Sequence, residues 1–316
     1  MQSLGQTESV PQRGQFLTQV RESRQLGSEY RCLTLSVSKP EVPYLSEARP
    51  GQFIQIACRK EERCDTAGIF LRRPFSIAAL RANDTTVEVD VIHDVIGPGT
   101  AWMGGCQRGD AVPILGPLGN GFALPENNTR PVILLGGGIG IPPLLFLADR
   151  LREQGQSQVL GVIGLANGAC MQESLDGGAV DPSDLLKPGA VLKEFNHSGT
   201  PALVATDDGS LGYHGNAVDA LGTFLEQNPP WQQALIYSCG PEGMLKATAQ
   251  LAQERSMECQ VCLEAYMACG FGVCQSCVVP VHCDTIDIKT PEKDRWRYAL
   301  VCDDGPVFDS RAIIWD

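Results

Sequence analysis

A chain of 316 residues with 43% hydrophobic and 20% charged residues is long enough for two or three domains and shows neither a disordered nor a collagen-like bias. Its net charge of -12 is spread rather than gathered into a tail, which opposes contact with phosphate backbones and excludes non-specific binding of nucleic acid. The longest apolar run, residues 131–148, is broken by glycine and proline and falls short of the roughly 20 continuous apolar residues of a membrane span.

The first stretch, residues 1–15, lacks the basic start and apolar centre of a secretory signal and is expected to be a polar leader on a cytoplasmic protein. Thirteen cysteines in such a chain are expected to divide between buried hydrophobes and metal ligands, not disulfides.

Residues 16–128 read as short alternating strands, "YRCLTLSVS" at 30–38, "GQFIQIAC" at 51–58 and "TTVEVDVIHDV" at 85–95, separated by Gly/Pro turns. That texture predicts an antiparallel β-barrel. Within it, "RRPFSIA" carries Arg73, Pro74, Phe75 and Ser76 on a strand-like run. An arginine there can clamp a pyrophosphate and the serine can bond a ring nitrogen, although an exposed basic turn reads the same way. In "GPGT" at 97–100, backbone amides at Gly99 with the Thr100 hydroxyl can form an anion nest. "GPLGNGF" at 116–122 reads as a structural turn.

From 129 to 255 buried-strand runs alternate with helical patterns, which predicts parallel βαβ units and an α/β domain. "LLGGGIGIPPL" at 134–144 follows a strand and opens a helix, with Pro142 in the first turn, so Gly137, Gly138 and Gly140 are candidates for a phosphate-binding turn. Ile141 stands where a third glycine would complete G-x-G-x-x-G, so a tight strand-to-helix turn stays an open reading. Asp207 and Asp208 in "TDDGS" fall at a strand's carboxyl end, where they can take ribose hydroxyls or simply cap the loop. "SCGPEGM" places Cys239 and Gly240 at the same edge, with a nicotinamide neighbour or a buried structural thiol as the two readings of the cysteine.

From 256 to 316 the chain is rich in cysteine. Cys269, Cys274 and Cys277 form C-x4-C-x2-C, and Cys302 follows after a gap, the spacing of a plant-type [2Fe-2S] cluster. Gly270 and Gly272 then let the backbone wrap close and aim N–H groups at sulfur. The rival is zinc, because Cys259, Cys262, Cys274 and Cys277 also make a C-x2-C pair of pairs, and Cys283 competes with Cys302 as fourth cluster ligand.

The order of these motifs, R-P-x-S, GGGIG, TDDGS, C-G-P and C-x4-C-x2-C, resembles the ferredoxin-NADP reductase superfamily. The ending, "CLEAYMACGFGVCQSCVVP" with "YALVCDDGPVF", is similar to the electron-transfer subunits of type B dihydroorotate dehydrogenase, over nearly the whole chain from residue 16. The resemblance implies a mixed fold of an FAD-binding β-barrel, an α/β NAD-binding domain and a small [2Fe-2S] domain. It implies that Arg73, Pro74, Phe75, Ser76, Gly99 and Thr100 hold FAD, and that Gly137, Gly138, Gly140, Cys239 and Gly240 flank NAD(H). It further implies Cys269, Cys274, Cys277 and Cys302 as cluster ligands, with no catalytic acid or base. The implied partner is an FMN-containing catalytic subunit, two copies of each chain forming a heterotetramer; in "YMACGFG" beside the cysteines, Tyr266 and Phe271 read either as contact residues for that partner or as core. Departures are His214 where a lysine is frequent, Cys262 where serine is common, a long stretch between Cys277 and Cys302, and the leader. Two other functions stay open: a reductase serving a different partner, such as ferredoxin, a hydrogenase-like complex or an oxygenase, and a non-redox zinc-bearing interaction protein.

Overall fold

The computed structural model describes residues 13–42, 44–59, 69–170, 175–176, 191–192, 200–283 and 295–315. The expected leader lies almost wholly outside them. The first seven strands are β1 (Gly14–Gln25), β2 (Tyr30–Ser38), β3 (Phe53–Ile56), β4 (Arg73–Ser76), β5 (Ala79–Ala82), β6 (Thr86–Asp94) and β7 (Ala111–Leu118), with a short helix α1 (Pro98–Gly104) before the last. They form one antiparallel sheet in the order β4-β3-β7-β1-β2-β6-β5. Only Ile77 and Ala78 separate β4 from β5, which occupy opposite ends of that order, so the sheet must curl to bring its two edges together. It is a half-barrel whose hydrogen-bond ladder stays open.

Period-two alternation fills this sheet's interior. In β6, Val87, Val89 and Val91 point into a core shared with Leu33, Leu35, Ile54 and Ile56. On the opposite face Asp90 takes a bidentate ion pair from Arg81 at 2.8 and 2.7 Å and the Thr34 hydroxyl at 2.7 Å.

The second sheet comprises β8 (Val132–Gly137), β9 (Val159–Leu165), β12 (Ala202–Thr206), β13 (Tyr213–His214), β14 (Leu235–Cys239), β15 (Cys259–Cys262) and β18 (Val307–Asp309), in the order β13-β12-β9-β8-β14-β15-β18. All its pairings are parallel except β15 with β18. A two-residue ladder, β10 (Leu175–Asp176) with β11 (Val191–Leu192), lies outside both sheets. Strands buried on both faces need continuous apolar runs. In β8, Leu134 faces a core with α2 (Ile141–Glu153), while Ile133 and Leu135 face α3 (Ala217–Gln227) and α4 (Glu242–Glu254). Among the described residues no helix is long and apolar enough to cross a membrane.

The order fixes where ligands can enter. From β8 the chain builds outward through β9 and β12, then returns to place β14 on the other side of β8. The crevice at the carboxyl ends of β8 and β14 is therefore the topological switch point of the sheet. β15 and β18, both within the stretch from residue 256 on, extend this same sheet. A hairpin of β16 (Val278–His282) and β17 (Trp296–Leu300) projects from it. The cysteine loop, residues 263–277, thus leaves the carboxyl end of β15 one strand away from the switch point.

Candidate functional site

Where the half-barrel meets the switch point lies a cavity of about 430 Å³. It gathers Arg73, Pro74, Phe75 and Ser76 of β4, Gly99 and Thr100 of α1, and Cys239 of β14. Seven residues singled out from separate sequence motifs therefore share one wall system. Arg73 sits at the exposed rim, donating to the Leu71 and Arg72 carbonyls at 3.1 and 3.4 Å. A Cβ on Gly99 would lie 3.5 Å from the Arg73 side chain, so the arginine and the glycine turn are neighbours. The Thr100 hydroxyl accepts from the Ile96 and Gly97 amides at 3.0 and 3.2 Å, which commits it to starting α1.

The glycine turns form a second unit. A Cβ on Gly140 would fall 2.3 Å from both the carbonyl carbon and oxygen of Cys239, and one on Gly240 would lie 3.1 Å from the Gly137 nitrogen. The start of α2 is pressed onto the end of β14, and glycine permits that approach. Gly138 adopts φ +53°. Asp207 and Asp208 follow β12, which β9 separates from β8, and neither lines the cavity. Asp208 accepts from the Ser210 amide at 2.9 Å and its hydroxyl at 2.6 Å, which holds its carboxyl below the usual carboxylate range. His214 of β13 lies against Gly209 of the same turn.

Sequence reasoning missed two carboxylates of the cavity, Asp94 at the end of β6 and Glu264 just past β15. Burial, helped by the charge of Asp94, pushes Glu264 up. Their only signal was position at strand ends flanking quoted motifs. Cys262, also in the wall, is the register partner of Cys239. Contact with Cys262 and full burial drive the Cys239 thiol well above its ordinary value.

Behind the cavity lies the thiol group. The Gly272 amide donates to Cys302 Sγ at 3.2 Å and the Cys274 amide to Cys269 Sγ at 3.4 Å. Cys302 touches Cys277 and feels the charge of Cys269. Cys277 and Cys302 are buried with Phe53, itself a cavity residue, whereas Cys274 is exposed. A bond with the Ser276 hydroxyl and backbone amides bring Cys274 down to about 6, and burial pushes Cys302 up to about 12. Gly270 and Gly272 take φ +80° and +86°, letting the loop fold tightly.

The competing zinc arrangement is corrected by strand geometry. Three residues apart on β15, Cys259 and Cys262 point to opposite faces, one into the core beneath α3 and α4 and the other into the cavity wall. They cannot converge with Cys274 and Cys277 on one ion. Among the described residues no three His, Cys, Asp or Glu side chains gather around a single-ion site; a two-iron cluster instead divides four thiolates two to an iron. Cys283 lies six extended residues from Cys277, roughly 20 Å along β16. Its amide bonds Arg295 at 2.9 Å across the far end of the hairpin.

Residues 264–314 match the family model described as the iron-sulfur cluster binding domain of dihydroorotate dehydrogenase B, and residues 58–121 match the siderophore-interacting FAD-binding domain. The dihydroorotate dehydrogenase B (NAD(+)) electron transfer subunit of Caldanaerobacter subterraneus subsp. tengcongensis is 30% identical over 96% of this chain and 100% of its own length. That of Streptococcus pneumoniae serotype 4 is 33% identical over 84% of this chain and 89% of its own. The solved NADH-dependent reduced ferredoxin-NADP oxidoreductase superposes with TM-score 0.71 at 24% identity, covering 96% of this chain and 91% of that one, and so shares the fold. A ferredoxin NADP+ reductase from Neisseria gonorrhoeae superposes with TM-score 0.55 at 18% identity over 76% of this chain and 91% of that one. Full-length similarity at this level, with the half-barrel, the switch-point crevice and the thiol loop in one arrangement, makes the chain a member of the family of dihydroorotate dehydrogenase B electron transfer subunits.

Proposed function

We propose that this chain is the electron transfer subunit of an NAD-dependent dihydroorotate dehydrogenase in pyrimidine biosynthesis, carrying electrons from a catalytic partner through [2Fe-2S] and FAD to NAD+. The observation that carries this reading is the sharing of Phe53 between the cavity and the core beneath Cys277 and Cys302, which sets the cavity directly against the three-thiol loop and the Cys302 that closes onto it.

The residues fit the groups. Glycines 137, 140 and 240 let the start of α2 close onto the end of β14, which sets the helix N-terminus at the crevice where a dinucleotide backbone can approach, and Arg73 at the rim offers a fixed positive charge for a pyrophosphate. Ser76 and Phe75 in the cavity wall are placed to orient a ring system. Cys269, Cys274, Cys277 and Cys302 form the cluster's ligand set, and amides at Gly272 and Cys274 already point at two of the sulfurs. Asp207 and Asp208 remain candidates for the ribose hydroxyls of NAD(H). Flavin supplies the conversion between the two-electron hydride of a nicotinamide and the single electrons of an iron-sulfur centre. The chain's own work is alignment and exclusion of water, with no acid or base required. The partner is an FMN-containing catalytic subunit, and the assembly holds two copies of each.

Combining this chain anaerobically with the FMN-type dihydroorotate dehydrogenase of the same organism tests the reading. NADH should form from dihydroorotate only when both are present. A flavin-loaded preparation that oxidises NADH with artificial acceptors but stays silent with that partner would move the electron donor elsewhere.

A further inference from the structure

Gln55 is fully buried, and neither its side-chain nitrogen nor its oxygen has a hydrogen-bond partner. Each buried, unbonded amide group costs about 1–3 kcal/mol, so a carboxamide with both ends orphaned calls for a ligand. The F-I-Q-I alternation of β3 explains where it points. Ile54 and Ile56 enter the half-barrel core, while Phe53 and Gln55 turn outward, and Phe53 packs on Cys277 and Cys302. Gln55 reaches the turn just after Cys269: a Cβ on Gly270 would lie 2.1 Å from its Nε2, 2.7 Å from Cδ and 3.1 Å from Cγ. Glycine at 270 is thus needed both for φ +80° and to let this amide through.

We propose that the Gln55 carboxamide is a positioning residue for the iron-sulfur centre, its Nε2 donating a hydrogen bond to a sulfur of the cluster. The inference rests on the cluster reading given above. A sulfur-rich acceptor surface is what an orphaned N–H₂ requires, and β3 is the strand that also pairs with the Arg73–Ser76 segment, Gln55 facing Pro74 in register. The amide therefore ties the flavin side of the molecule to the cluster loop. Because the reduced cluster is the more negative form, a donor to its sulfurs favours reduction, and losing it shifts the potential downward.

The test uses the intact chain purified anaerobically with its flavin and iron. In Gln55→Met, of similar length and without the amide, the cluster's midpoint potential should fall by about tenfold in the one-electron equilibrium constant, which is 59 mV. The flavin potential should stay fixed. In wild-type protein labelled with ¹⁵N in glutamine side chains, pulsed EPR of the reduced cluster should show a nitrogen coupling that Gln55→Met lacks, Gln275 contributing equally to both. An unchanged cluster potential, no difference in coupling, or a shift confined to the flavin would each overturn the proposal. A wild-type preparation with no iron or sulfide would overturn the cluster reading itself.

Discussion

Cys302 accepts a hydrogen bond from the Gly272 backbone amide at 3.2 Å while its thiol rests against Cys277, so the last cysteine of the chain's C-terminal segment closes onto the loop begun by Cys269. Cys302→Ala should abolish the iron and sulfide content of the purified protein and the cluster's share of its visible absorbance, leaving the flavin band. Cys283→Ala and Cys259→Ala should retain both. Loss of iron in either of those two variants, with Cys302→Ala still loaded, would reverse the ligand assignment.

The contact of Gly140 with Cys239 leaves no space for a methyl group. Gly140→Ala must push α2 off the end of β14, and neither backbone segment can yield cheaply. NADH oxidation with an artificial acceptor should drop about tenfold or more. On the proposed reading that these glycine turns flank NAD(H), flavin content should fall less than NADH oxidation does. Steady-state assays with flavin quantified spectroscopically separate the two effects.

His93 predicts an acid-side weakness. It is fully buried, edge-on to Phe75 and close to Arg31, and burial with that positive neighbour lowers it from 6.5 to about 4. The unfolded chain binds a proton near 6.5 that the folded chain refuses until about 4. Stability is therefore whole above the upper value and falls by on the order of 3 kcal/mol as pH drops through the window. Glu264, raised by burial, acts in the opposite direction, which is why a variant control is needed. Urea midpoints measured between pH 7.5 and 4.5 should slope less steeply in His93→Phe than in the wild type.

Tyr266 is 99% exposed and Val273 72% on the cysteine loop, with Phe271 at 37% beside them. Exposed apolar side chains clustered next to a redox centre suit a docking face. Tyr266→Ala and Phe271→Ala should each weaken assembly with the catalytic subunit about tenfold, the scale of a moderate hot spot. NADH oxidation with an artificial acceptor should be untouched. Titration calorimetry against the FMN subunit reads the first effect and a diaphorase assay the second; parallel loss of both would make these residues structural.

Much of the fold was legible because local chemistry dictates local structure. The stretch read as a strand at 30–38 is β2 residue for residue, and the helix expected to open with Pro142 in its first turn is α2, which begins at Ile141. Alternation marks a half-buried strand and a continuous apolar run marks a buried one, whatever lies elsewhere in the chain. The cysteine loop was equally readable, since three thiols and two glycines within nine residues restrict their own geometry.

Pairing between distant segments was not legible. Nothing in the spacing of Cys259 and Cys262 says that β15 is a strand inside the parallel sheet, and only the pleat sends their thiols to opposite faces. Residues 97–100 read as an anion nest, yet the Thr100 hydroxyl is occupied by its own turn, a choice made where α1 begins.

By itself the sequence determined the elements, the order of the glycine and cysteine motifs, and the family they belong to, because each rests on contacts within a few residues. Tertiary structure decided that Asp94 and Glu264 share a cavity, that Cys302 and not Cys283 stands beside Cys277, and that Gln55 is sealed against Gly270. Those outcomes depend on how the curled sheet packs against α2 and the switch-point end of the parallel sheet, and that packing is settled by burial of the whole core, which no short stretch encodes alone.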